Sequence, residues 1–147
     1  MAYKTKYTPQ NIQKYVGNPN NIICRSLWER KFCKYLDTNP NILRWSSEEI
    51  KIPYISTIDK SIHHYYPDFV FEAKNTDKID TFMVEIKPKK QTIEPKSKKN
   101  KKTYLQESIT FEINKCKWAA AKKYCEQHGW IFKIITEDQL FKNNTKE

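Results

Sequence analysis

The pattern of apolar and polar residues along the chain predicts two helices. The first is expected from Leu27 to about Asp37, with Ser26 as its N-cap residue. The second is expected from about Gln106 to His128, followed by a glycine in the position where helices commonly end. Residues 1–24 contain turn signals and no helical period, so they are predicted to form an irregular N-terminal arm.

Four other segments show the alternation of apolar and polar residues that is typical of strands. They are residues 47–55, 62–72, 79–87 and 130–135. Pro53 favours an edge position for the first of them. Residues 136–138 are expected to open a short last helix. The order α-β-β-β-α-β predicts an α/β fold in which helices flank a central mixed sheet, with one domain over residues 1–147.

Composition narrows the class of protein. Hydrophobic residues make up 38% of the 147 residues, which is typical of a folded chain with a core. Two glycines disfavour a glycine-rich phosphate-binding loop, and no apolar run approaches the ~20 residues that cross a membrane. The four cysteines form no C-x-x-C pair, which favours reduced thiols over a zinc site. The N-terminus lacks the apolar core of a signal peptide, so a cytosolic protein is expected.

The charge balance indicates a polyanionic partner. The chain has 27 Lys and Arg against 17 Asp and Glu, which gives a net charge of +10. Nucleic acid is therefore the first candidate partner, and an acidic membrane surface is the second. The lysine-rich segment at residues 88–102 is predicted to be a loop. It would serve either as a clamp on DNA phosphates or only as a solvated segment.

Two acidic residues are predicted to face each other on neighbouring strands. A turn centred on residues 76–77 would place Asp68 opposite Glu85 and Tyr66 opposite Lys87. Opposed residues share a face with Cβ atoms about 5 Å apart, so two carboxylates there need a cation, a shared proton or solvent. The alternative is that Asp68 only opens its strand, while Glu85 and Lys87 form an exposed charge ladder.

The first helix supplies a third acid. Glu29 falls on the apolar side of the helix, where a carboxylate needs a partner, whereas Asp37 falls on the opposite, polar arc. Glu29 either completes an acidic cluster or closes a capping box by accepting a hydrogen bond from the Ser26 amide.

Three carboxylates and a lysine suit phosphodiester hydrolysis. Asp68 and Glu85 offer the hard oxygen ligands that Mg²⁺ takes, with Glu29 and the Ile86 carbonyl as further ligands and Mn²⁺ as an alternative ion. A bound ion would polarise the scissile phosphate and lower the pKa of a bound water. Lys87 would orient the attacking water or neutralise charge that builds up on the phosphate.

Three further lysines are candidate DNA contacts. Lys89 and Lys90 directly follow the third predicted strand, where they would form a basic rim. Lys117 lies on the second predicted helix beside Asn114. It would face the substrate or, as the alternative, be an ordinary surface lysine of the helix.

The acidic residues also resemble a known signature. Pro67-Asp68 followed by Glu85-x-Lys87 is similar to the PD-(D/E)xK motif, and α-β-β-β-α-β is the core order of that nuclease superfamily. A wider resemblance, to the head completion nuclease family of contractile-tailed phages, covers nearly the whole chain. The segments that carry it are NIQKYVGNP, RSLWE, PDF, VEIKPKKQT, NKCKWAAA and FKIITED.

The resemblance implies a restriction-endonuclease-like fold and a metal-dependent endo- and exonuclease that trims packaged DNA before the tail joins the head. It implies catalytic roles for Glu29, Asp68, Glu85 and Lys87. Double-stranded DNA would be the substrate, and phage head, portal or neck proteins the partners. The expected location is the host cytoplasm during assembly and the virion head or neck. Two alternatives remain: a non-catalytic DNA-binding head or neck protein on a nuclease scaffold, and an endonuclease of the junction-resolvase or transposon-end type.

Overall fold

A four-stranded mixed sheet with a helix on each face forms the centre of the fold. The computed structural model describes residues 3–97 and 99–140. Within them the helices are α1 (Leu27–Thr38) and α2 (Lys101–His128). The strands, in chain order, are β1 (Thr5–Lys6), β2 (Ile23–Cys24), β3 (Ile42–Ser47), β4 (Ile52–Ile55), β5 (Ile62–Tyr65), β6 (Phe69–Asn75), β7 (Lys78–Ile86) and β8 (Ile131–Ile135). Two short 3-10 segments, Ile12–Lys14 and Lys89–Thr92, complete the list.

The strand order in the central sheet is β3-β6-β7-β8. The first three strands are antiparallel neighbours, whereas β8 runs parallel to β7. A parallel neighbour needs a crossover connection, which α2 supplies between these two strands. The central elements therefore follow the order α1, β3, β6, β7, α2, β8, and the predicted mixed α/β fold is confirmed.

Strand alternation divides the core into two layers. On the α1 side, Phe32 and Leu36 of the helix pack with Trp45, Phe69 and Val84 of the sheet. On the α2 side the buried residues come from α2, from β7 and from the β4–β5 hairpin: Ile52, Tyr54, Tyr65, Met83, Ala121 and Cys125. The sheet is thus covered by apolar residues on both faces, and polar groups concentrate where its strands end.

The predicted register between β6 and β7 is confirmed. The paired residues run from Phe69 with Val84 to Asn75 with Lys78, around a turn at residues 76–77. Asp68 lies one residue before the first pair, so continuing the ladder places it opposite Glu85. The predicted pairing of Tyr66 with Lys87 is not part of this ladder. The reason is that the chain leaves the sheet at Pro67, and β5 pairs with β4 instead.

The predicted first two strands were partly wrong. The first strand of the central sheet is β3, which was not predicted, and residues 47–55 contain β4 and only the last residue of β3. The predicted strand 62–72 is two strands in different sheets, because β5 pairs with β4 and β6 pairs with β3 and β7. Ile42–Ser47 was overlooked because three consecutive residues, Trp45, Ser46 and Ser47, are all buried, so the strand lacks a clean alternation.

The N-terminal arm was predicted to be irregular, but its described residues form part of the core. β1 pairs with β2, and the side chains of Tyr7, Tyr15 and Ile22 are buried against the α1 layer. This packing also corrects the predicted exposure of Asp37, which is fully buried. A helical wheel compares residues only within one helix, whereas here a distant segment covers the polar arc of α1.

The lysine-rich segment is shorter than predicted, because α2 begins at Lys101 and not near Gln106. Asn100 is the N-cap residue, and its side chain accepts a hydrogen bond from the Thr103 amide at 3.1 Å. Lys98 lies outside the described residues. Gly129 ends α2 with a φ of +72°, as predicted from its position. The predicted last helix begins within residues 137–140, where the described chain ends.

Two predictions from composition can be checked. All four cysteines are free thiols, and three of them are buried. No helix within residues 3–97 and 99–140 is long and apolar enough to cross a membrane.

Candidate active site

Three strands of the central sheet bring acidic residues to the same end of the sheet. Glu48 directly follows β3, Asp68 directly precedes β6, and Glu85 is the last residue but one of β7. Continuing the two antiparallel ladders by one residue places Glu48 and Glu85 on either side of Asp68. The backbone supports the first of these relations, since the Glu48 amide donates to the Asp68 carbonyl at 3.2 Å.

A cluster of three carboxylates results, formed by Glu29, Glu48 and Asp68. One carboxylate oxygen from each lies within 4.8 Å of the others. Glu29 reaches the cluster from the first turn of α1. Glu48 has a φ of +54°, a left-handed conformation that is uncommon for a residue with a side chain. We call these three residues the acidic cluster.

Glu29 belongs to the acidic cluster and also takes part in the cap of α1, but its capping partner differs from the predicted one. Ser26 caps α1 by accepting from the Glu29 amide at 3.1 Å. The Glu29 carboxylate accepts in return from the Arg25 amide at 3.0 Å, not from Ser26. Burial raises the pKa of Glu29, and the nearby charges of Glu48 and Glu85 add to this effect, while the Arg25 amide opposes it.

Asp68 is the most strongly perturbed acid of the site. Burial raises its pKa well above the usual range, and the charges of Glu85 and Glu29 raise it further. The Ile86 amide donates to Asp68 Oδ2 at 2.8 Å, which partly stabilises the charged form. The group of Ile86 that contacts Asp68 is therefore its amide, and the metal-binding role of its carbonyl stays a prediction.

Glu85 borders the acidic cluster but has its own partners. It is buried, and the Tyr65 hydroxyl donates to its Oε1 atom at 2.5 Å. Lys87 Nζ lies 3.5 Å from Oε2. Burial raises the pKa of Glu85, whereas Tyr65, Lys87 and Lys117 act in the opposite direction. Its oxygens do not belong to the group within 4.8 Å, so a role for Glu85 as a direct metal ligand stays a prediction.

Arg25 supplies the countercharge of the acidic cluster. Its guanidinium binds both oxygens of Glu48, with Nε at 2.9 Å and Nη2 at 3.1 Å. This pairing raises the pKa of Arg25, and the charges of Glu29 and Asp68 contribute in the same direction. The side chain is 54% exposed, so the guanidinium closes the cluster on its solvent side without being fixed by packing.

The four lysines predicted from the sequence occupy different environments. Lys117 reaches the site from α2, with Nζ 5.9 Å from the centre of the Tyr65 ring. Lys87 contacts Glu85, as described above. Lys89 is held away from the cluster because its ammonium pairs with Asp138 at 3.2 Å. Lys90 is exposed and lines a cavity beside α2.

Three residues of the site were missed by sequence reasoning: Glu48, Arg25 and Tyr65. Glu48 would have been found by applying the register argument to β3, but that strand had not been recognised. Arg25 and Tyr65 each act on an acid that is remote in the sequence, so no local signal marks them. The structure shows their contacts, while the catalytic and metal-binding roles of the predicted residues stay predictions.

The donor set fits a divalent cation. Carboxylate oxygens are the ligands that Mg²⁺ and Mn²⁺ prefer, and the acidic cluster offers them from three side chains. The four acids outnumber the two basic groups that contact them in the described residues, Arg25 and Lys87. Burial raises the pKa values of Glu29 and Asp68, and the charges of neighbouring acids raise them further, a repulsion that a bound cation would relieve.

Comparison with known proteins agrees with this geometry. Residues 39–137 match the family described as "TnsA-like endonuclease N terminal", and this range contains three of the four acids. The chain is also 39% identical over 145 residues to the head completion nuclease of Enterobacteria phage T4, with 95% of each chain covered. The resemblance inferred from the sequence motifs is thereby confirmed. The chain belongs to the head completion nuclease family, and its central region is a TnsA-like endonuclease domain.

Proposed function

We propose that this protein is a divalent-metal-dependent DNA nuclease, with endo- and exonuclease activity, that trims DNA during completion of a phage head. The observation that carries the proposal is the acidic cluster at the end of the sheet, with Glu85 and Lys87 beside it. The relative in phage T4 supports the role in head completion, and the match to TnsA-like endonucleases supports the cleavage chemistry.

The acidic cluster would hold Mg²⁺, with Mn²⁺ as the alternative ion. A bound ion would polarise the scissile phosphate and lower the pKa of a coordinated water. The contribution of the protein is to present Asp68, Glu29 and Glu48 in a partly buried position where their mutual repulsion favours a cation. Because burial raises the pKa values of Asp68 and Glu29, we expect metal binding to release protons and to strengthen as the pH rises.

Glu85 and Lys87 would position the reacting groups. Tyr65 holds one oxygen of Glu85 and Lys87 lies near the other, so the orientation of this carboxylate is fixed before DNA binds. The Lys87 side chain is 27% exposed, and its ammonium can donate to a phosphate oxygen or to a water between the two side chains. This preorganisation favours the charge distribution of the transition state over that of the bound substrate.

The DNA would lie across the basic surface around the site. The net charge of +10 favours a polyanion, Lys117 approaches the site from α2, and Lys90 lines the cavity beside that helix. Lys89 would join them only by exchanging Asp138 for a phosphate. Such contacts carry no sequence information, so we propose that cleavage has little sequence preference and that affinity falls steeply with salt.

Cleavage of linear and circular double-stranded DNA, in Mg²⁺ and in EDTA, tests the proposal. The wild type should cut both substrates in Mg²⁺ and neither in EDTA. Asp68→Asn, Glu85→Ala and Lys87→Ala should each lower the cleavage rate by at least about a hundredfold, because each removes a group that acts on the reacting phosphate.

Two matched variants control for the change in charge. Glu126→Gln and Lys123→Ala alter exposed residues of α2 and should cut like the wild type. DNA binding without cleavage by the wild type would support the structural alternative, a DNA-binding head or neck protein on a nuclease scaffold. Equal cleavage by the site variants would reject the assigned residues.

A second candidate is an endonuclease of the junction-resolvase or transposon-end type. The match to TnsA-like endonucleases supports this second candidate, because the matched residues cover the catalytic core of the fold. Four-way junctions and defined transposon-like ends, compared with plain duplex in the same assay, separate the two candidates. For the head completion role we propose action in the host cytoplasm during assembly, in contact with head, portal or neck proteins.

A further inference from the structure

A cavity of about 520 Å³ lies between α2 and the segment that follows β7. One wall is formed by α2 between Gln106 and Asn114, and the other by residues 90–96. The cavity and the site share both elements, because residues 90–96 follow β7 and Lys117 lies one helical turn after Asn114. A nucleotide next to a phosphate at the metal site could therefore reach this cavity.

Asn114 presents its side-chain amide to the cavity. The residue is only 6% exposed and lines the cavity. Its side chain forms no hydrogen bond with any residue in the described ranges 3–97 and 99–140. Neither the amide nitrogen nor the amide oxygen is sealed from solvent, so both are open to the cavity and can bind a ligand with hydrogen-bonding groups.

The charges around the cavity indicate a neutral ligand. Lys90 and Lys96 line it, but so do Glu94 and Glu107, and the two pairs cancel. A phosphate or carboxylate would meet the two acids as well as the two lysines, so an anion gains little from entering. This balance contrasts with the strongly basic character of the whole chain.

The apolar part of the cavity suits a planar ring. Phe111 lies one helical turn before Asn114, and Ile93 and Pro95 contribute apolar surface from the opposite segment. Nucleobases stack on aromatic side chains, and their edges carry donors and acceptors that an asparagine amide can bind in pairs. A neutral, planar, polar-edged group next to a phosphodiester site has the properties of a nucleobase.

We propose that the cavity binds one unpaired base of the DNA strand that is being cut, stacked on Phe111 and hydrogen-bonded by Asn114. The inference rests on the proposed nuclease function and specifies its substrate. A base can enter only when it has left the duplex, so the protein favours DNA with frayed or single-stranded nucleotides beside the scissile phosphate. Lys90, at the edge of the cavity, contacts a neighbouring phosphate.

Two duplexes with the same four-nucleotide single-stranded end provide the test. One carries normal bases in that end, and the other carries abasic tetrahydrofuran nucleotides, which keep every phosphate and remove every base. Fluorescence anisotropy in EDTA measures both affinities without cleavage. The wild type should bind the end with bases about tenfold more tightly, which is the range expected for stacking of one base.

The variants Asn114→Leu and Phe111→Leu should reduce this ratio to about one to two while leaving the affinity for the abasic end unchanged. Gln127→Leu is the matched control, because it removes an exposed amide from the same helix, and it should keep the tenfold ratio. Thermal denaturation verifies that each variant is folded. If Asn114→Leu fails to fold, Phe111→Leu still decides, since it keeps an apolar residue and removes only the planar ring.

A ratio near one for the wild type, or a tenfold ratio that survives in both variants, would overturn the proposal. Cleavage of the same duplexes in Mg²⁺ separates this failure from that of the nuclease function. Normal cleavage with a ratio of one rejects the base pocket alone. If the wild type neither binds nor cleaves the duplexes, the nuclease function is rejected, and the base pocket is rejected with it.

Discussion

Asp37 and Asp68 are both buried carboxylates, but hydrogen-bond donors surround Asp37 whereas other acids surround Asp68. Asp37 accepts three hydrogen bonds, from the Tyr7 hydroxyl at 2.7 Å and from the Gln10 and Asn11 amides at 2.6 and 3.0 Å. Asp68 accepts one within the described residues, from the Ile86 amide, and faces other acids. Burial alone therefore does not identify a functional acid. A functional acid is identified by the number of hydrogen-bond donors around the carboxylate compared with the number of neighbouring acids.

The regions around Asp37 and Asp68 also have different effects on the stability of the protein. Around Asp37, Lys14 Nζ binds the Asp37 and Asn39 carbonyls, so the arm completes the C-terminal end of α1. Around Asp68, the acids lie at the end of the sheet and are left without sufficient countercharge. The first region stabilises the fold, whereas the second stores unfavourable free energy that a cation would release.

The largest expected effect on stability is that of Asp37→Ala. This variant removes the acceptor for a hydroxyl and two amides, and we expect the free energy of unfolding to fall by about 3–5 kcal/mol. Urea denaturation followed by circular dichroism measures the loss. Asp37→Asn keeps one acceptor oxygen and should lose less. A loss below about 1 kcal/mol for the alanine variant would mean that the arm does not depend on this carboxylate.

Asp68→Asn should have the opposite sign and raise the stability of the metal-free protein by about 1–3 kcal/mol at neutral pH. Because the native pKa of Asp68 is raised, its favourable contribution is complete below the unfolded value of ~3.9 and is lost as pH rises through the native pKa. The asparagine variant should lack this decline. Urea midpoints from pH 4 to 8 in EDTA provide the measurement.

Added Mg²⁺ sharpens this second prediction. It should stabilise the wild type in proportion to its occupancy and leave Asp68→Asn nearly unchanged. Equal stabilisation of both proteins would place the ion elsewhere.

Two tyrosine variants test the difference between the Asp37 region and the active site, because each removes a single hydroxyl group from one of them. Tyr7 donates to Asp37 and Tyr65 to Glu85, at 2.7 and 2.5 Å. Tyr7→Phe should cost about 1–2 kcal/mol of stability and leave the cleavage rate of the folded protein unchanged. Tyr65→Phe should lower the cleavage rate about tenfold. It should also move the acidic limb of the pH–rate profile to higher pH, because the Tyr65 hydroxyl holds down the pKa of Glu85. Similar profiles for both variants would contradict the division of roles.

The smallest expected change in stability is that of Arg25→Gln. The side chain is 54% exposed, so loss of its ion pair with Glu48 should change the free energy of unfolding by less than about 1 kcal/mol. Affinity for Mn²⁺, measured by calorimetry without DNA, should rise several-fold because a competing cation has been removed from the acidic cluster. Arg44→Gln, an exposed arginine of β3, is the matched control and should leave that affinity unchanged.

The sequence was most informative where a signal depends on neighbouring residues. Ser26 and Gly129 mark helix ends through local hydrogen bonding and backbone conformation, and both positions are confirmed. The turn at residues 76–77 fixed the register of β6 and β7, since the side-chain period of a strand leaves little freedom once the turn is placed. These features follow from chemistry within a few residues of chain.

The sequence was least informative where segments far apart in the chain meet. The sequence did not reveal β3 because its last three residues are all buried and so do not alternate, and Glu48 was missed with it. Asp37 was assigned to a polar surface because its donors lie more than twenty residues away in the arm. The carboxylate of Glu29 binds the Arg25 amide, a choice between neighbouring donors that depends on how the chain enters α1.

The sequence by itself therefore determined the α/β order of elements, the β6–β7 register, the candidates Glu29, Asp68, Glu85 and Lys87, and the family. Only the tertiary structure decided that Glu48 joins the acidic cluster, that Arg25 binds Glu48 and Tyr65 binds Glu85, and that the amide of Asn114 opens toward a cavity. The physical reason is that periodicity and capping are local properties. The pairing of charges and the satisfaction of buried polar groups depend instead on which distant segments the folded core brings together.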